Sequence, residues 1–180
     1  MIESSGIAWC ARFPTSAELA ALQPDFMRKC SAFIGALRAG GATVHVSATY
    51  RPPERAYLMH WACMIGGSGQ DPAAVAPMAG VDIDWTHGGD RGAAKAAARA
   101  MMQGYGISYP AALVSRHTQR RAIDMTIWIP PGAHIKARDG SVVIFQQACT
   151  GTDPRVAAIG KTYGVIKLAS DPPHWSDDGH

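Results

Sequence analysis

Ser115-Arg116-His117, Asp124 seven residues beyond that histidine, and Asp171-Pro172-Pro173-His174 near the end of the chain are the residues whose types and spacing can do chemistry. They supply two imidazoles and a carboxylate suited to one zinc ion, with a second carboxylate beside the last histidine. Catalytic zinc commonly takes three protein ligands and leaves a fourth position for water. The ion makes that water nucleophilic near neutral pH while a nearby carboxylate takes its proton. The pattern points to metal-assisted hydrolysis.

Spacing constrains how these residues can meet. Fully extended, the stretch from His117 to Asp124 would span roughly 23 Å, whereas zinc ligands lie about 2.0–2.2 Å from the ion. The chain must double back between them. Thr118-Gln119-Arg120-Arg121 is polar enough to make that turn, and Asp124 then heads the polar face of a strand. Between Asp171 and His174, two prolines exclude a helix interior. They favour an extended, threefold twist that returns positions i and i+3 to one side. Asp171 is then held beside the ion as a base. Spacing alone also allows Asp171 to be the ligand and Asp124 a structural residue; the strand position favours Asp124. Arg51, ending the strand-like Ser47-Ala48-Thr49-Tyr50, offers a planar five-donor fork for an oxyanion or a carboxylate. Of the remaining histidines, His60 reads as packed in a helix and His45 lies in a strand. His87 and His134 fall in loops, with His87 able to rim a cleft, and His180 is terminal.

The elements that must position these residues follow from pattern. Thr15-Ser16-Ala17-Glu18 has the form of a capping box opening a helix, which Pro24 interrupts and residues 25–38 continue until Gly40-Gly41. Residues 44–50 alternate as a strand. Pro52-Pro53 starts a helix to about Ile65. Residues 66–90, rich in Gly, Pro and Asp, read as a long surface loop. Asp90 caps an Ala-rich helix to Gln103. Ile123, Met125, Ile127 and Ile129 point one way along a strand, and Asp124, Thr126 and Trp128 the other. Residues 142–146 and 165–168 are further strands, around a helix capped by Asp153-Pro154 that runs to Tyr163. Helices come first and strands cluster late, so the expected class is α+β. The expectation is one compact domain over 1–180, with 1–43 a helical lead-in and 44–176 a core carrying the metal site.

Bulk properties agree with a globular chain. Its 180 residues are 47% hydrophobic and 17% charged, enough for a real core. Net charge is +3 and the pI about 8.8, a mild excess that suits an anionic polymer such as a cell wall. No Lys/Arg block with interleaved aromatics argues for nucleic acid. Cysteines at 10, 30, 63 and 149 make no C-x-x-C pair, so they are expected as buried or semi-buried thiols, with one disulfide possible in an oxidising compartment. Neither a signal peptide nor a membrane span is visible. The expectation is a protein made in the cytoplasm that reaches the periplasm or cell wall through lysis or specialised secretion.

Ser115-x-His117-x6-Asp124 with Ala122 two before the aspartate, the upstream Tyr50-Arg51, and the downstream Asp171…His174-Trp175 together resemble the peptidoglycan zinc peptidases. That family includes D-alanyl-D-alanine carboxypeptidases and dipeptidases of the VanX and VanY kind, and phage endolysins that cut L-alanyl-D-glutamate bonds. They share a small α+β fold, with a mainly antiparallel sheet flanked by helices, also seen in the hedgehog signalling domain. The resemblance covers roughly residues 44–176. It implies His117, Asp124 and His174 as ligands of one Zn2+, Asp171 as catalytic base, Arg51 polarising the scissile carbonyl, and Ser115, Tyr50 and Trp175 near the substrate. An Asp base resembles the endolysin branch. The chain departs from the family at Arg120, where a glycine is usual; a different turn or a strained one follows.

The leading expectation is a lytic endopeptidase acting on peptidoglycan stem peptides, as a phage lysin or a secreted antibacterial effector, with an immunity protein or delivery machinery as further partners. The alternatives are a D,D-carboxypeptidase, or a non-catalytic binding module on the same fold. A cysteine hydrolase built on Cys63 and His60 is the weakest reading.

Overall fold

The structure is a computed structural model and describes residues 2–180. In chain order its elements are β1 (Glu3–Ser4), α1 (Pro24–Ala39), β2 (Thr43–Ala48), α2 (Pro53–Gly66), β3 (Ile83–Asp84), α3 (Arg91–Tyr105), β4 (Ala122–Ile129), β5 (Ala133–Lys136), β6 (Val142–Phe145), β7 (Cys149–Thr150), α4 (Pro154–Tyr163), β8 (Ile166–Lys167) and β9 (His174–Ser176). Helices and largely antiparallel sheets make the class α+β, as expected. Contacts divide the chain into two compact units. One holds the residues up to Pro14 with Arg51–Thr118, the other Thr15–Tyr50 with Gln119–His180.

The first unit is built on α2 and α3. Pro53 opens α2 at its first position, where the missing N–H is no loss. The Asp90 carboxylate accepts from the Ala93 N–H at 2.9 Å and starts α3. The helices approach closely at Gly66: a Cβ there would meet the Met102 Sδ at 2.9 Å and the Arg99 nitrogen at 3.0 Å. Trp9, Tyr57, Leu58, Ile65, Trp85 and Met101 form the core. The 66–90 stretch, expected as a loop, carries local order: 3₁₀ turns at Pro72–Ala74 and His87–Gly89, and β3 pairing in parallel with β1. His87 accordingly has a partner, its Nε2 lying 2.9 Å from the Ser5 hydroxyl.

The second unit is a sheet in the order β2-β4-β9-β8, with β7 also on β4. In β4 the expected alternation holds. Ile123, Met125, Ile127 and Ile129 are buried, while Thr126 and Trp128 are exposed. These side chains pack with Phe26, Phe33 and Leu37 of α1 and with Trp175 of β9. The short strands β5, β7 and β9 were not expected; His134 lies on β5 rather than in a loop.

The helix expected from Thr15 does not form. Ser16 pairs instead with Thr49 and Tyr50, and the Thr49 hydroxyl donates to the carbonyls of Ser16 (3.0 Å) and Glu18 (2.9 Å). An α-helix would need those carbonyls for its own ladder. Only a 3₁₀ turn at Leu19–Ala21 remains before Pro24 opens α1.

Candidate metal centre

Each ligand candidate arrives by a different local device. Residues 116–120 form consecutive turns, the reversal that the spacing of His117 and Asp124 demands. Its entry is fixed by a reciprocal pair: the Ser115 N–H donates to the Thr118 hydroxyl at 2.9 Å, and the Thr118 N–H to the Ser115 hydroxyl at 3.3 Å. Ser115 thus shapes the turn that presents His117. The Arg51 N–H donates to the His117 carbonyl at 3.3 Å, tying the two candidate residues through the backbone. His117 itself is buried.

At Arg120 the backbone is left-handed, with φ 61°. The turn is therefore the kind a glycine serves, adopted by an arginine under strain. Two contacts offset that strain. The Arg120 carbonyl accepts from the Gln23 N–H at 2.9 Å, and its guanidinium lies 4.5 Å over the Tyr50 ring. Tyr50 is half-buried beneath it.

Asp124 and His174 meet through strand register. They are directly opposed in the antiparallel pair β4–β9, a position that sets Cβ atoms about 4.5–5.5 Å apart. The Asp124 Oδ1 lies 3.2 Å from the His174 Nδ1. The far nitrogen, Nε2, is 3.2 Å from the His180 main-chain carbonyl. A proton on Nε2 donates to that carbonyl, the outer support usual for a ligating imidazole, and Nδ1 is the nitrogen on the Asp124 side. The Ser176 hydroxyl fastens this hook by accepting from the N–H groups of Gly179 (2.7 Å) and His180 (3.0 Å). Burial disfavours the charged form of His174, but the Asp124 and His180 hydrogen bonds and the charges of Asp124 and Asp171 outweigh it, and its pKa is raised.

One donor atom from each of His117, Asp124 and His174 lies within 4.8 Å of the other two. Tetrahedral ligands about 2.1 Å from an ion stand roughly 3.4 Å apart. The Asp124 Oδ1 and the His174 Nδ1, 3.2 Å apart, are close to that spacing. Two neutral imidazoles and a carboxylate fit a divalent ion. Of the two carboxylates that spacing left open, Asp124 is the one that falls in this group.

Asp171 is exposed, and the stretch to His174 is not the expected threefold extended twist. The His174 N–H donates to the Asp171 carbonyl at 3.1 Å and closes a four-residue turn over the two prolines. This turn fixes the main chain of Asp171 against that of His174. Beside the turn, Met125, Thr126, Ile127, Thr150, Gly151 and Pro173 line an open trough of about 330 Å³. Trp175, expected near the substrate, has no exposed surface. It is fully buried, with its ring centroid 5.4 Å from that of Phe33, because β9 alternation turns its side chain away from the His174 face.

No protein-family model matches the chain, and no curated protein matches it. The support from Ser176 and the His180 carbonyl had no sequence signal, since it depends on a hook folded back over β9.

Proposed function

We propose that the protein is a zinc-dependent hydrolase of an amide bond in peptidoglycan stem peptides or cross-links, acting as an endopeptidase in the periplasm or cell wall. The observation that carries this reading is the convergence of His117, Asp124 and His174, with the exposed Asp171 carboxylate one turn from the last ligand. An ion held there would supply Lewis acidity and an activated water at neutral pH. Asp171 takes the water's proton on its carboxylate and returns it to the leaving nitrogen. Arg51 directs its guanidinium to the oxygen on which negative charge develops. The trough beside Pro173 receives the peptide on one side of the cut bond, and its threonines and exposed main chain suit amide groups.

A Cys63 nucleophile finds no support. Burial raises its thiol pKa, and His60 directs its Nδ1 to the Ala111 carbonyl at 2.8 Å. Both features oppose thiolate formation by a neighbouring base.

Digestion of purified sacculi with mass spectrometry of the products tests the reading. Asp171→Asn retains zinc and loses at least about 100-fold in rate, the scale of a general base. His117→Ala loses the metal. Digestion by Asp171→Asn at the wild-type rate would remove Asp171 from the mechanism.

A further inference from the structure

The segment that carries Asp171 and His174 is held by a cation. Lys167, the last residue of β8, is half-buried, and its Nζ lies within donating distance of three main-chain carbonyls: Leu168 at 2.8 Å, Asp171 at 2.6 Å and His174 at 3.2 Å. An ammonium has three N–H donors and accepts nothing, so three carbonyls saturate it. The same Nζ stands 5.5 Å from the centre of the Trp175 ring.

Withdrawing an ammonium from water is costly unless its hydrogen bonds are replaced. Here all the replacements come from one short run, residues 168–174. Two of the three carbonyls belong to the residues proposed as base and as ligand. Those carbonyls are also joined to the neighbouring backbone. The His174 N–H reaches the Asp171 carbonyl, and the Leu168 N–H reaches the His174 carbonyl at 3.1 Å. The ammonium therefore sits at the hub of the loop, with two of its acceptors shared with the turn itself. A simple solvated lysine at a strand end would not converge on this set.

We propose that Lys167 is a positioning residue of the metal centre, fastening the 168–174 loop so that His174 meets Asp124 and Asp171 stays beside the ion. This rests on the metal-hydrolase reading. Lys167 touches neither the ion nor the substrate; it acts through the backbone of the residues that do. Supporting contacts of this kind commonly change metal affinity 10–100-fold.

The test is zinc affinity by competition with a chromophoric chelator, together with the visible spectrum of the cobalt-substituted protein, for wild type, Lys167→Met and Lys167→Arg. Lys167→Met keeps the apolar stem and removes the donors. The expected result is zinc binding at least about tenfold weaker, with displaced cobalt bands. Lys167→Arg, which retains donors and charge, recovers part of both. A purely structural lysine would lower the melting temperature and leave the folded protein's zinc affinity and cobalt spectrum unchanged; that result overturns the proposal. Should Lys167→Met fail to fold, Lys167→Gln, which loses the charge and one of the three donors, takes its place: a wild-type affinity and spectrum in that variant overturns the proposal, and a weakened affinity supports it. Wild-type protein that binds no zinc removes the hydrolase reading, and this inference with it. Wild-type binding with an indifferent Lys167→Met removes the inference alone.

Discussion

Arg120 shows how one residue carries two opposed terms. Its left-handed backbone costs on the order of 1–2 kcal/mol, and its guanidinium over Tyr50 returns about 0.5–1 kcal/mol. Arg120→Gly removes both, so its unfolding free energy should stay within about 1 kcal/mol of wild type. Arg120→Val keeps the strain, worsens it through the branched Cβ and loses the cation, so it should fall by about 2 kcal/mol or more. Chemical denaturation of the two variants checks the contrast; equal losses would contradict it. At this scale much was legible. His117, Asp124 and His174 stood out by type and spacing, and Arg120 as a residue in a glycine's place. Trp175 did not. An aromatic after a ligand histidine reads equally as a substrate platform or as core, and only the direction of β9 separates the two.

Among elements, β4 was readable because its alternation is long and its apolar face is unbroken. β9 was not readable: three residues after a Pro-Pro pair leave no period to detect, and its register with β4 is a non-local fact. Yet that register is what sets Asp124 against His174. Gly160 of α4 guards it from behind. A Cβ there would stand 2.7 Å from the Trp175 ring and 2.8 Å from the Val165 carbonyl. Gly160→Ala should cost about 1–3 kcal/mol as overpacking, and zinc affinity should weaken with it as β9 shifts. Thermal unfolding and chelator competition measure the two effects; a variant as stable as wild type would contradict the packing argument. The start of α4 gives a pH-dependent case. The Arg155 hydrogen bonds hold the Asp153 carboxyl down at about 2, against partial burial, while its carboxylate caps the helix. A depressed carboxyl stabilises fully above its ordinary value near 4 and loses that stabilisation as pH falls from about 4 toward 2. Asp153→Asn should therefore cost about 1 kcal/mol or less at neutral pH and approach wild type near pH 2. A stability difference that does not change across this range would exclude the cap charge as its source.

Over the whole molecule, the question is how many places can hold a soft divalent ion. The chain has seven histidines and four cysteines. Burial raises the pKa of all four thiols, Cys30 to about 12, and none is in a disulfide. A thiol held protonated is a poor zinc ligand, because the thiolate is the donor. His60 and His87 are turned toward other partners. Among the described residues, His117, Asp124 and His174 are the group in which three such donors converge. No helix of the described residues is long and apolar enough to cross a membrane. The class was legible at this scale from helices first and strands late. The division of the chain was not, because Thr15–Tyr50 belongs with Gln119–His180 across an intervening stretch of the other unit, and pattern along a sequence carries no signal for such pairing.

Zinc K-edge X-ray absorption on protein loaded with one equivalent of the metal is the most direct measurement. The expected result is a first shell of nitrogen and oxygen at about 2.0–2.2 Å, with two imidazoles in the outer scattering. A sulfur contribution at about 2.3 Å, or a shell without imidazole, would contradict it.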